Sequence, residues 1–365
     1  MLPRRIVLVL VALLLAVPAT ARVAPDRLHH LSRGVNFTNW FRFPVRQDDA
    51  FLRDDIDDAA LRQLRAAGFS FVRLAVQPEL MLNGRGQPDA HRLGLLVDAI
   101  ARIERAGLAV IAGWHPQTWD LQHSPIQQQQ LQDLWGALAE RLRRLDSDMT
   151  FPEVLNEPIY DGDVPAWEAL QAKVLARIRA ELPRATVVLT GNHWGSIDGL
   201  LALHPVADGN VVYSFHTYDP PTLTSLASFE HGLDRDALKH LPFPVTDRQS
   251  CENAATATTQ ARTADVMRFY CSEHWDEAKL ADLVRRASLW AQRNHVDVVC
   301  GEFGASNRLP AATRLAWLTG MRRAFDAGGI GWALWGYDDS MGFDIHSHGG
   351  NLPLLDPAVL RALGL

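Results

Sequence analysis

Several things are scarce in this chain of 365 residues, and each scarcity removes a class of function. Positive charge is not in excess: 36 Lys and Arg face 42 Asp and Glu, for a net charge of -6, so nothing points to nucleic acid as a partner. No Gly-rich phosphate loop follows a strand, which argues against a doubly wound nucleotide-binding sheet. Internal repeats are missing, and the short tract Gln127–Gln130 reads as the start of a solvated helix. Tyrosine is sparse, five against eleven tryptophans. Core packing accounts for most of those tryptophans. The other common home for Trp is a sugar cleft, where its flat ring covers the C–H face of a pyranose.

Long apolar runs are also lacking. Ile6–Val17 offers twelve apolar residues, fewer than the ~20 that a membrane helix needs. With Arg4 and Arg5 before it and Ala19-Thr20-Ala21 after it, the run reads as an export signal, residues 1–21, with a retained anchor as the alternative. Residues 22–365 then form a single catalytic domain, secreted or periplasmic and without stable membrane association. Export permits disulfides. Of three cysteines, Cys251 and Cys271 lie in a Pro- and Thr-rich, loop-like region and are expected to pair. Cys300, inside the apolar run "VDVVCGEFG", is expected to be a buried free thiol.

What is present is a rhythm. Eight short apolar runs recur: "GVNFTN", "FVRLAV", "LAVIAGWH", "FPEVLNEP", "TVVLTGNHW", "VVYSFHTY", "VDVVCGEFG" and "IGWALWGY". Between them, stretches such as Asp57–Ala67 and Arg92–Ala106 carry apolar residues at helical spacing. Gly68 and Gly107 close helices and lead directly into strands. Eight strand-helix units predict a (β/α)8 TIM barrel. The connection after the sixth strand is too long for a simple loop and predicts an insertion over residues 219–275, a lid or cleft wall at the catalytic face.

Polar residues at the C-terminal ends of barrel strands point into the mouth. The eight runs deliver Asn36, Asn39 and Trp40; Arg73; Trp114 and His115; Asn156 and Glu157; Asn192, His193 and Trp194; His216 and Tyr218; Glu302; and Trp335. A lone His or Glu at a strand end is ordinarily structural or solvated. Eight strands delivering such groups at one end make a site. Two carboxyls on strands four and seven suit glycoside cleavage, one protonating the leaving oxygen while the other attacks the anomeric carbon or activates water. Arg73 and Tyr218 would hold Glu302 ionised, favouring it as nucleophile. Glu157 is then the acid, and Asn156 donates to the sugar 2-hydroxyl. Trp194 and Trp335 are expected as sugar platforms.

"VLNEP" and "CGEFG" resemble the acid/base and nucleophile motifs of glycoside hydrolase family 5, the cellulase-like family of retaining (β/α)8 enzymes. "RGVNFTNWF", "FVRLAV", "GWHPQ", "FHTYDP" and "WALWGY" are similar to its remaining strand motifs, in order, over nearly the whole mature chain. The resemblance implies Glu157 as acid/base, Glu302 as nucleophile, and Arg73, His115, Asn156, His216 and Tyr218 as their supporting shell. Trp335 would lie under the cleaved sugar. "IAGWHPQ" departs from the family, many of whose members carry Asp before the His and Pro-Gly after it. The implied substrate is a β-linked glucan or mannan, with an endo-β-1,4-glucanase first and an exo-acting β-1,3-glucanase, β-glucosidase or β-mannanase as alternatives. No cofactor is implied. Two other classes remain open: a metal-dependent barrel using "DIHSH" (His346, His348) or His29 and His30, and a barrel that binds sugar without cleaving it. Metal is not expected, because the first strand ends in Asn-Trp rather than His-x-His.

Overall fold

Strand pairing runs unbroken around a ring: β1 (Arg33–Phe41), β2 (Phe71–Val76), β3 (Ala109–Trp114), β4 (Thr150–Glu153), β5 (Val187–Thr190), β6 (Val211–His216), β7 (Asp297–Phe303) and β8 (Gly331–Leu334). All neighbours are parallel, and β8 returns to β1, closing an eight-stranded barrel. This computed structural model describes residues 22–145, 148–345 and 355–365. The export segment and the His346–His348 pair lie outside those residues. None of the described helices is long and apolar enough to cross a membrane.

Side chains alternate in and out along each strand, and this separates two cores. The outward set, including Val72, Leu74, Val110 and Leu189, packs against the surrounding helices. The inward set fills the lower barrel with Phe71, Ile111, Phe151, Val188, Val212 and Val299, plugged from below by Val23 and Leu31. Gly68 adopts φ 100° at a helix C-terminus, a left-handed turn that glycine takes without a Cβ penalty. Above the apolar layer the inward positions turn polar: Arg73 stands two residues beyond Phe71, and Glu153 two beyond Phe151. The fold thus delivers charge to the barrel mouth on a packed apolar floor.

The insertion after β6 is not loop-like. It carries helices at Pro221–Thr224, Arg235–Leu238, Arg248–Ala254 and Ala261–Ser272. Asp234 and Asp247 cap two of them, accepting from the backbone N–H of Ala237 and Ser250. Thr263, Ala264, Met267, Tyr270 and Cys271 bury one face of the last. The helices are short and their apolar stripes interrupted, so composition hid them. Cys251 and Cys271 are bonded, with Cα atoms 5.6 Å apart, and join the third insertion helix to the fourth. Cys300 is free and buried.

Candidate active site

Arg73 is the hub of the mouth. It is fully buried on β2, and every nitrogen of its guanidinium is used. Nε and Nη2 donate to the two oxygens of Glu153 at 2.8 and 3.1 Å. Nη2 also donates to Asn156 Oδ1 at 2.8 Å, and Nη1 to Asn36 Oδ1 at 2.9 Å and Glu302 Oε1 at 2.7 Å. Burial alone would lower the pKa of Arg73, but Glu153 and Glu302 raise it above its ordinary value, so the side chain stays charged. Glu153 is the counter-ion that permits this charge in the barrel interior. Gly113 makes room for it, since a Cβ there would stand 2.3 Å from Glu153 Oε2.

Glu302 sits at the end of β7, 3% exposed. Oε1 accepts from Arg73, and Oε2 accepts from the Tyr218 hydroxyl at 2.8 Å. Burial pushes the Glu302 carboxyl up, but its electrostatic interactions with His216, Arg73 and Arg42, with the Arg73 hydrogen bond, outweigh it and hold the group below the usual carboxylate range. Tyr218 is shifted the other way: burial, then the charges of Glu302 and Glu157, raise its hydroxyl well above the usual phenol range, so it remains a donor.

Glu157 lies across the mouth, on the loop after β4, with φ 44°. Left-handed backbone is uncommon for a residue with a Cβ, and it directs the carboxyl inward from a turn ending in Pro158. His216 Nδ1 is 3.0 Å from Glu157 Oε1 and 3.7 Å from Glu302 Oε1. The ligand atoms of Glu157, His216 and Glu302 all lie within 4.8 Å of one another. Such a triad has the size of a metal site, but the Glu302 oxygens are taken by Arg73 and Tyr218, and Arg73 opposes a second cation.

His115 is fully buried and stacks on Trp335 at 6.2 Å between centroids. Burial, then the charges of Arg73, Arg42 and His216, keep its imidazole neutral at working pH. Neither ring nitrogen has a hydrogen-bond partner. Asn156 is held through Oδ1 by Arg73, which fixes the amide so that its N–H groups face away from the guanidinium. Trp335 is 8% exposed, with the Arg42 guanidinium 5.1 Å from its ring centroid. Trp194 is open, 56% exposed.

Two first-strand assignments change. Trp40 is fully buried and donates Nε1–H to the Leu52 carbonyl at 2.9 Å, so it cannot touch a ligand in the mouth. The pairing of β1 with β2 shifts register between Phe37 and Phe41, and this breaks the alternation that would have turned Trp40 inward. Asn39 is tied by its backbone N–H and its Nδ2 to Asp338, bracing the loop after β8. The Cys300 thiol donates to the Glu302 carbonyl at 3.2 Å, and burial pushes its pKa up, so it is no nucleophile. His29 and His30 belong to the helix Pro25–His30, with Val23 and Leu31 at the bottom of the barrel, far from the mouth.

Two residues of the site carried no strand-end signal. Glu153 is one, and Arg42 is the other. Arg42 follows β1, stacks on Phe43 at 4.7 Å and Trp335 at 5.1 Å, and has a buried Nε without a partner. Its charge faces Glu302 and Glu157. Glu302 meets Arg73 from β2, His216 and Tyr218 from β6 and beyond, Glu157 from the loop after β4, and Arg42 from the loop after β1. Removing one of these cations raises the pKa of Glu302. Arg42→Met is therefore expected to move the acid limb of the kcat/KM profile to higher pH, with Arg42→Lys moving it less. An acid limb unchanged in Arg42→Met would show that Arg42 does not act on Glu302.

Beyond the carboxyl pair, a cleft of about 540 Å³ runs past Arg42, Trp119, Asn156, Glu157, Trp194 and Phe229. Similarities to known proteins identify the family. The sequence model of Cellulase (glycosyl hydrolase family 5) matches residues 32–340. Endoglucanase 3 of Fibrobacter succinogenes is 26% identical over 357 residues, covering 91% of this chain, which spans about half, 53%, of that protein. Endoglucanase C of Acetivibrio thermocellus is 21% identical over 329 residues, covering 86% of this chain and 93% of that one. The solved structure of a hyperthermophilic endo-β-1,4-glucanase in complex with substrate shares the fold, with a TM-score of 0.74 at 21% identity, over 93% of this chain and 99% of that one. The chain belongs to the cellulase family, glycosyl hydrolase family 5.

Proposed function

We propose that this protein is a retaining glycoside hydrolase that cleaves a β-linked glucan, an endo-β-1,4-glucanase, with Glu302 as nucleophile and Glu157 as acid/base. The observation that supports retention is that one oxygen of each carboxylate lies within 4.8 Å of one oxygen of the other. Retention needs carboxyls ~5–5.5 Å apart, whereas inversion leaves ~6.5–9.5 Å for a water. Glu302, ionised by its cationic surroundings, attacks the anomeric carbon as Glu157 protonates the leaving oxygen. Water, deprotonated by Glu157, then releases the sugar from Glu302. His216, within reach of both carboxyls, keeps their oxygens close through the proton transfers. The free amide of Asn156 matches sugar hydroxyls, which both donate and accept.

The endo mode draws support from relatives named as endoglucanases, and the linkage from a structural neighbour titled as an endo-β-1,4-glucanase. Export through residues 1–21 is part of the proposal, supported by the Cys251–Cys271 bond, which suits an oxidising compartment. A panel of β-1,4-, β-1,3- and mixed-linkage glucans and mannan tests the reading. Rapid loss of viscosity on a soluble β-1,4-glucan, with oligosaccharides of several lengths as early products, is expected. A single product of one or two sugars would mean exo action, and binding without new reducing ends would mean a sugar-binding barrel.

A further inference from the structure

Among the described residues, three buried polar atoms at one place in the barrel have no hydrogen-bond partner in the protein: Thr190 Oγ1, Ser214 Oγ and His216 Nε2. Alternation along the strands puts them together. Val188 and Val212 belong to the apolar floor, so Thr190 and Ser214, two residues further on, face inward one layer above it. They are paired neighbours on β5 and β6, and His216 stands over Ser214. The wall on the β7 side is opened by a bulge. Phe215 pairs with Cys300 and His216 with Glu302, which leaves Gly301 as the extra residue. A Cβ on Gly301 would stand 2.6 Å from Ser214 Oγ and 3.0 Å from His216 Nε2. The two atoms converge on one point, and glycine leaves it free.

Buried hydroxyls and imidazole nitrogens nearly always find a partner, and where several converge it is commonly a water making about three hydrogen bonds. The direction of these bonds follows from the other side of the ring. His216 Nδ1 faces Glu157 Oε1 at 3.0 Å and Glu302 Oε1 at 3.7 Å, and carboxylate oxygens accept. A bare Nδ1 would compete for the proton that Glu157 must keep for the leaving oxygen. Nδ1–H instead donates to Oε1 and leaves the acid's proton to its other oxygen. A neutral imidazole with its proton on Nδ1 has a bare Nε2, which needs a donor beneath it, and hydroxyls can supply one.

We infer that Ser214 is a positioning residue: through a buried water shared with Thr190, its hydroxyl supplies a donor to His216 Nε2 and so holds the ring proton on Nδ1. This rests on Glu157 as the acid and adds what keeps its proton available. Ser214→Val and Ser214→Thr share a shape and differ in the hydroxyl, so a packing role would affect them equally. In Ser214→Val, kcat/KM for cellopentaose, whose leaving sugar needs a proton, should fall about tenfold, part of the ~10²–10⁴ that general acid catalysis supplies. For 2,4-dinitrophenyl β-cellobioside, whose leaving group needs none, the fall should be much smaller, and Ser214→Thr should keep most of both activities. Should neither variant fold, Thr190→Val against wild type makes the same comparison. Wild-type cleavage of cellopentaose tests the endoglucanase reading by itself. Nitrogen-15 NMR of histidine-labelled protein needs no substrate and should find the His216 proton on Nδ1 alone. A proton on Nε2, no loss in Ser214→Val, or losses equal between the Val and Thr variants or between the two substrates would overturn the inference.

Discussion

Glu302→Ala is expected to lose turnover by about 10⁴-fold or more on every substrate, including aryl glycosides with good leaving groups. No glycosyl-enzyme can form without that carboxylate, and neither Tyr218 nor Arg73 can replace it as a nucleophile. Glu157→Ala should behave differently. An activated aryl glycoside needs no proton on its leaving oxygen, so the first step survives. The second step loses its base, and the glycosyl-enzyme accumulates as a burst followed by slow release. Natural glucan, with a poor leaving group, should be cut by neither variant. Equal losses on aryl substrates in the two variants would contradict the separate roles.

Glu153→Ala is expected to cost about 3–5 kcal/mol of stability, because it leaves Arg73 charged, buried and without the carboxylate that takes two of its hydrogen bonds. The effect should also reach the chemistry, since Arg73 orients Asn156 and Glu302 from the same guanidinium. Glu153→Gln keeps the shape and one acceptor, and should fall between Ala and wild type. Denaturant unfolding measures the first effect, and kcat/KM of the folded fraction the second. A loss below about 1 kcal/mol in Glu153→Ala would mean that Arg73 has found solvent or another partner.

The barrel and much of its mouth were legible because parallel strands buried on both faces read as continuous apolar runs, and polar residues that interrupt their ends stand out. Glu157 and Glu302 were visible for that reason. Glu153 was not, though the signal existed: in "FPEVLNEP" it lies two residues after Phe151, on the same inward face. An inward Glu beneath a strand end demands a buried cation, and Arg73 on β2 was the available one. Trp40 was placed in the mouth only as a residue at a strand end, and the register shift that goes with its burial shows only in the pairing with β2. Arg42 lies past the strand, where period-two reasoning ends; its sole mark in the sequence is its place between Phe41 and Phe43. The insertion's helices escaped because four to twelve residues with scattered Pro and Thr give too few turns to establish a period.

Glu302 is expected to attack one face of the anomeric carbon, with Glu157 acting from the opposite side as acid in the first step and base in the second. Azide added to Glu157→Ala with an activated aryl β-glycoside tests it most directly. The small anion should enter the space left by the missing carboxyl, attack the glycosyl-enzyme on Glu302, and restore turnover. Two displacements at one carbon return the original configuration, so the product is predicted to be the β-glycosyl azide, identified by the coupling of its anomeric proton. Recovery of the α-glycosyl azide would mean a single displacement, and would contradict the assignment of both glutamates.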